Sequence, residues 1–386
     1  MPAPSYRYVF ADLLTDAYIT DLPLQDVSFD RRILQAGTFS ASATIPNRTL
    51  ADQVARVVPR HPDELTTGPG RTVCHVYRDG AIWGTYLIWQ ASVSRSGRGP
   101  IQVRLQGSTL ESYLEHVTIR TDLTYEQVDQ IAIARDLLTT MQSVPRYNVG
   151  LQLQGGTSGV LRDRTYLATE AAPYGQRLSE LANVLDGFEY VIGTTVDQAT
   201  GVRTRRWRWG YPQLGALDSD YVFAEPGNVL SWQEDIDALR GGTAFLTRGE
   251  SINDDVTEAS APLTSDIYLA QDHLDAGWPG LDMTVDYSTV KEVSTLNDYA
   301  SWWATHRAGA VRVHQATVRL DSGTAFSPAD LGNYVRLMLV NDWWPVIDGV
   351  ASFSKSWRVV GMGVRPVSRS SGQEEATLIF EEAVDP

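Results

Sequence analysis

The sequence predicts a β-rich α+β protein, and three observations lead there. Apolar and polar residues alternate in short runs, broken by turn residues, from the start of the chain to about residue 115 and again beyond Asp220. Between those stretches the apolar spacing changes to that of helices. The chain has 386 residues, past the roughly 250–300 at which one hydrophobic core stops growing, so at least two packed units are expected.

Residues 1 to about 115 read as strands with one short helix over 50–58, interrupted by Pro59. An antiparallel barrel or curled sheet is the economical arrangement. Asp79-Gly80 marks a tight hairpin turn, because that turn needs positive φ, and the aromatic and β-branched run after it includes Trp83, Tyr86 and Trp89. Ile101, Val103 and Leu105 alternate with Gln102, Arg104 and Gln106, giving one buried and one wet face. Ser108, with Glu111 three residues later, reads as a capping box that starts a helix carrying Leu110, Tyr113 and Leu114.

Around Thr121 the period changes. Val128, Ile131, Leu138 and Met141 predict a helix over 125–141, capped by Asp122 or Thr124. Tyr174, Leu178, Leu181 and Leu185 form the stripe of a second helix, opened by Pro173 and closed by Gly187. Residues 188–196 and 202–209 then make a hairpin around the turn 197–201. Strand patterns return at 221–223, 229–232 and 243–247. Residues 250–265, rich in Ser, Asn, Asp, Thr and Glu, read as an exposed loop. A helix is expected over 296–307, with Tyr299, Trp302, Trp303 and His306 on adjoining faces, before closing strands at 311–320, 335–340, 357–364 and 376–380.

Composition narrows the chemistry. A formal net charge of −15 opposes nonspecific binding to a polyanion. Cys74 is the only cysteine, which excludes intrachain disulfides and thiolate metal clusters, and it reads as a buried core thiol. No apolar run approaches the roughly 20 residues that span a bilayer, and no signal peptide opens the chain.

The six histidines lack ligand spacing, and neither lysine, Lys291 or Lys355, follows a phosphate loop. Gly156-Thr157-Ser158-Gly159 sets its glycine one place early for a serine-hydrolase elbow. Glu234, Asp235 and Asp237, then Asp254, Asp255 and Glu258, offer carboxylates for a glycosidase or calcium site, without the pairing or alternation either requires. Arg203 to Trp209 mixes basic and aromatic residues as a nucleic-acid groove would, yet its place on a hairpin strand is explained equally by cross-strand pairing. No catalytic, cofactor or metal site is therefore expected. The tryptophans, Trp343 and Trp344 among them, are read as core or subunit contacts.

The order of the elements resembles the hub or minor tail proteins of long-tailed bacteriophages, especially those infecting actinobacteria. The likeness rests on Trp83-Gly84 in the second strand of the Asp79-Gly80 hairpin and on the Leu110, Tyr113, Leu114 helix. Tyr6 to Leu14, Leu22 to Phe29 and Gly37 to Ser42 extend it at the start of the chain. Gly159 to Tyr166, Asp186-Gly187-Phe188-Glu189-Tyr190 with Gly210-Tyr211-Pro212, and Glu225-Pro226-Gly227-Asn228-Val229 carry it onward.

The resemblance implies two antiparallel β-barrel-like domains with α+β insertions. The first barrel would be residues 1–115, an α+β insertion 116–215, and the second barrel 216–250 with 309–386. Residues 251–308 would form a loop-and-helix insertion packing with 116–215. It further implies a structural virion protein rather than an enzyme: a homotrimeric ring at the tail tip, assembled in the host cytoplasm. That ring would join the tail tube or distal tail protein to the tip or fibres, meet the tape measure protein and line a DNA conduit without binding DNA. Trp83, Tyr86, Trp89, Trp343 and Trp344 are the contact residues expected, from their place beside turns. A tail-associated peptidoglycan hydrolase and a receptor- or carbohydrate-binding tail module are the alternatives; the end of the chain just after the last strand leaves no room for a lytic domain.

Overall fold

The computed structural model describes residues 4–216, 219–252, 261–320, 326–367 and 372–381. It is a mostly β α+β structure that divides into two compact units, Met1–Trp232 with Ala316–Glu381, and Gln233–Gln315.

The first unit begins with strands β1 (Tyr6–Asp12), β2 (Tyr18–Asp21), β3 (Gln25–Arg32) and β4 (Thr38–Ile45), then helix α1 (Arg48–Ala55). Strands β5 (Thr72–Arg78), β6 (Ala81–Arg95) and β7 (Ile101–Thr109) and the short helix α2 (Glu111–Leu114) follow. Asn47 caps α1, its side chain accepting from the Leu50 amide at 3.0 Å. Asp79 and Gly80 take φ of 49° and 85°, the conformation a two-residue hairpin between β5 and β6 demands. The expected capping box does not form. Ser108 remains in β7, and Glu111 is buried with its Oε1 accepting from the Ile192 amide at 2.6 Å.

The middle of the chain supplies β8 (Leu123–Asp129), α3 (Gln130–Gln142), β9 (Leu151–Leu153), β10 (Leu161–Tyr166), α4 (Tyr174–Ala182), β11 (Glu189–Val196) and β12 (Arg203–Gly210). The helix expected over 125–141 is therefore half strand. Residues 123–129 pair with β10, and Asp129 starts the helix by accepting from the Ile131 amide at 2.9 Å. The other oxygen of Asp129 accepts from the amides of Ser158 and Gly159, so the would-be elbow is a loop tied to a helix cap.

Helix α4 ends at Ala182, before Leu185. Gly187 is needed for close approach, since a Cβ there would lie 1.8 Å from the Ala182 carbonyl oxygen. Gly187→Ala is expected to cost about 1–3 kcal/mol, the usual range for overpacking, measured as a lowered urea midpoint.

Beyond residue 219 come β13 (Val222–Glu225), β14 (Val229–Asp237), β15 (Ala244–Ile252), β16 (Ala261–Thr264), β17 (Tyr268–Leu269), α5 (Gln271–Asp275), β18 (Asp282–Asp286), α6 (Val293–His306) and β19 (Val311–Arg319). The chain closes with β20 (Tyr334–Leu339), the small pair β21 (Val346–Ile347) and β22 (Val350–Ala351), β23 (Phe353–Arg365) and β24 (Glu375–Phe380).

A 13-stranded sheet dominates, with order β14-β19-β24-β23-β3-β4-β7-β6-β5-β1-β2 and β13-β20 branching from β23. Antiparallel pairing of β23 with β3, through Gly361 opposite Arg32 and Val364 opposite Phe29, makes the two ends of the chain one sheet. No pairing among the described residues joins β14 to β2, so no closed barrel is found along this path, and the β-rich α+β class read from the sequence is the one observed. One core cluster takes side chains from both ends, among them Phe10, Phe39, Tyr86, Val335, Val359 and Phe380. A second cluster gathers Leu13, Leu87 and Leu114 with Ile131, Leu137, Leu178, Phe188 and Trp207. The α+β region thus buries its apolar side together with residues of the first strands. Cys74 is fully buried, and that burial pushes its thiol up.

The second unit takes in Gln233–Gln315. It centres on β15, flanked by β16, β17 and β18, with α6 packed on β15 around Phe245, Ala270 and Trp303. Part of the expected loop is ordered structure, because residues 261–264 pair with β15; Asp254, Asp255 and Glu258 lie outside the described residues. Glu234, offered above as a reactive carboxylate, is held by Arg312 at 2.6 Å and His314 at 3.1 Å.

Candidate functional site

The 79–89 hairpin does not offer its aromatics to a partner. Trp83 is 8% exposed with the Arg78 guanidinium over its ring, 4.6 Å from the centroid. Tyr86 is fully buried against Phe39 and Phe29, its hydroxyl donating to the Asp30 carbonyl at 3.0 Å. Half-buried Trp89 donates to the Ser112 hydroxyl at 2.8 Å and meets His116 edge-on. The expectation of exposure fails for a physical reason: β6 is covered on both faces, with Tyr86 in one core cluster and Leu87 in the other.

The 341–351 segment behaves differently. Asn341 starts it by accepting from the amides of Trp343 and Trp344 at 3.0 and 2.9 Å, while its amide nitrogen donates to Glu225 at 2.6 Å. Strands β21 and β22 form a two-stranded hairpin in which Val346 faces Ala351 and Ile347 faces Val350. Asp348 and Gly349 make its turn at φ of 49° and 78°. Trp344 anchors the base, its ring tilted against Phe353 with centroids 4.6 Å apart, and Phe353 continues the contact edge-on to Trp357.

Trp343, Val346, Ile347 and Val350 are left 69%, 52%, 58% and 66% exposed. An isolated two-stranded hairpin is marginal in water, and contiguous exposed apolar side chains mark interaction surfaces. Of the five aromatics singled out in the sequence, Trp343 alone is strongly exposed, with Trp344 as its half-buried support. The aliphatic residues Val346, Ile347 and Val350 were missed, although the Asp348-Gly349 turn signal between apolar pairs was there to find them.

Behind the 79–89 hairpin sits a charged cluster that the sequence did not announce. Asp16, at φ 56° in the turn after β1, accepts from Arg203 Nε at 2.6 Å, Arg205 Nη2 at 3.1 Å and His75 Nε2 at 3.0 Å. The other nitrogen of His75 meets Thr85 Oγ1 at 2.8 Å. Thr85, His75 and Asp16 follow the geometry of a nucleophile-base-acid relay, but Thr85 is 6% and His75 0% exposed, which leaves no surface on either for a substrate to reach. The cluster instead ties β12 to β1, β5 and β6.

No family model matches the sequence, and no curated protein does. Solved structures do match in fold, over nearly the whole chain. The tail protein from Neisseria meningitidis MC58 is 14% identical, with a TM-score of 0.57, covering 97% of this chain and 96% of its own. The 43 kDa tail protein of prophage MuSo2 from Shewanella oneidensis is 9% identical at a TM-score of 0.59, covering 97% and 98%. Prophage tail protein gp18 from Listeria monocytogenes EGD-e is 10% identical at 0.52, covering 98% and 95%. The chain has the fold of phage tail proteins.

Proposed function

We propose that this chain is a structural component of a bacteriophage tail, a hub or minor tail protein that joins other virion parts and catalyses no reaction. The observation that carries the reading is the near end-to-end likeness in fold to three prophage tail proteins, with over nine-tenths of each chain covered. In this reading the protein sits at the distal tail of a long-tailed, noncontractile phage of an actinobacterial host. Three copies close into a ring between the tail tube or distal tail protein and the fibres or tip, beside the tape measure protein. DNA passes through the ring during ejection, and a net charge of −15 suits a wall to which a polyanion does not adhere.

The exposed hairpin is the contact we assign to assembly. Its Trp343, Val346, Ile347 and Val350 surface is apolar and displayed on a short turn, so burial against a neighbouring copy removes the cost of keeping it wet. Light scattering on the purified chain is expected to give three chain masses. Trp343→Ser with Ile347→Asp, which touches no core residue, is expected to give one. A wild-type protein that stays at one chain mass at tens of micromolar, or a variant that keeps three, overturns the assignment of the hairpin to a trimer contact. Clearing of purified cell walls by the protein overturns the non-catalytic reading.

A further inference from the structure

A cleft of about 390 Å³ opens between the outer face of β1, β2 and β5 and the turn joining β11 to β12. Its wall places Arg7, Tyr18, Tyr77, Asp197, Gln198 and Arg203 around one space. Arg7 of β1 lies directly opposite Tyr77 of β5 in the sheet register. Tyr18 lines the cleft yet keeps 59% of its surface exposed. The opposite lip is fixed, because Gln198 donates to the Gly80 carbonyl at 3.0 Å and Asp197 caps its own turn through the amides of Ala199 and Thr200 at 2.8 and 3.0 Å.

The charge pattern selects the ligand class. Both guanidiniums already face carboxylates, Arg7 to Asp21 at 2.5 Å and Arg203 to Asp16 at 2.6 Å, and Asp197 adds a further negative charge. A phosphate or carboxylate entering here would meet no unmatched cation and would have to displace an ion pair. What the wall does offer is two phenol rings beside planar amide, carboxylate and guanidinium groups, a set that pairs with adjacent hydroxyls while an aromatic face takes C–H surface. The volume is that of a small-molecule site.

We propose that this cleft binds a neutral saccharide of one or two rings, with a ring face on Tyr18 and hydroxyls read by Gln198, Asp197 and Arg203. The inference goes beyond the assembly role and uses none of the residues of the 341–351 hairpin. Loss of one therefore leaves the other standing.

The test is saturation-transfer NMR on the full chain with D-glucose, D-galactose, N-acetyl-D-glucosamine and L-rhamnose, and with inorganic phosphate and N-acetylneuraminic acid as anionic probes. Transfer to at least one neutral sugar is expected. Tyr18→Ala is expected to weaken it about tenfold, and Gln198→Ala about threefold. Both side chains are exposed, so the melting temperature of each variant should match the wild type, and Trp343→Ser with Ile347→Asp should bind the sugar as the wild type does. Transfer to none of the four sugars, transfer undiminished in Tyr18→Ala, or preference for either anion over all four overturns the proposal.

Discussion

Replacing Arg358 with alanine is expected to cost about 3–5 kcal/mol of folding stability, the range for breaking a buried ion pair from one side. The guanidinium is fully buried on β23 and grips Glu189 of β11 with a two-pronged contact, one arm at 2.8 Å. The same group reaches Glu381 at 2.9 Å and donates to the carbonyls of Leu214 and Gly332 at 2.9 and 3.1 Å. Alanine would leave the Glu189 carboxylate, 18% exposed, with the Leu214 amide at 2.8 Å but no cation, beside two carbonyls that lose the guanidinium as donor. Arg358→Lys keeps the charge without the planar fork and should recover only part of the loss. Urea denaturation with an unchanged slope is the measurement; a loss under about 1 kcal/mol would place the pair among ordinary surface ion pairs.

Neither partner of that pair was visible in the sequence, and the reason is general to this molecule. Alternation and turn signals are local, and they located most strands, the Asp79-Gly80 turn and the helix behind Pro173, although the equally local Asp348-Gly349 signal was passed over. Arg358 and Glu189 are 169 positions apart and meet only because β23 joins the sheet through β3. The same limit explains the error at 125–141. Val128 and Ile131 have helical spacing, but residues 123–129 find a ladder partner in β10, and tertiary pairing outweighs a weak propensity.

It also explains the aromatics. Whether Tyr86 is a contact or a core residue depends on what covers its face of β6, and that is set by side chains such as Phe29 and Phe39 of other strands and Val359 and Phe380 from the far end of the chain. At the candidate contact, by contrast, the information was local. A tight turn between two apolar pairs, followed closely by the anchor Phe353, reads directly as a displayed hairpin, and Trp343 keeps 69% of its surface exposed with Trp344 edge-on beside it.

Asp16→Ala is the second large effect expected, about 2–4 kcal/mol, set below the fully buried range because the Asp16 side chain is 28% exposed. The substitution leaves Arg203 and Arg205 side by side with no carboxylate between them, on the strand that ties the α+β region to the first sheet. It also changes how stability follows pH. Burial alone pushes Asp16 up, but the hydrogen bond and charge of His75 and the Arg203 guanidinium hold it below the usual carboxylate value of 3.8. Stability from that interaction is present above the unfolded value and is lost as pH falls through the folded one.

His75 acts with the same sign at higher pH. Burial pushes its imidazole below 6.5; Asp16 opposes that, and the two guanidiniums reinforce it. From about pH 6.5 downward the unfolded chain therefore binds more protons, and stability falls until the folded value is passed, at no more than about 1.4 kcal/mol per pH unit for one proton. Removing Asp16 deletes the hydrogen bond and charge that raise His75, so the imidazole drops further and its acid-side loss extends to lower pH, while the carboxylate step below pH 3.8 disappears. Urea midpoints measured from pH 3 to 8 separate the two, with His75→Gln as the control that abolishes the upper slope. Identical pH profiles for wild type and Asp16→Ala would show that the cluster does not hold these strands together through charge.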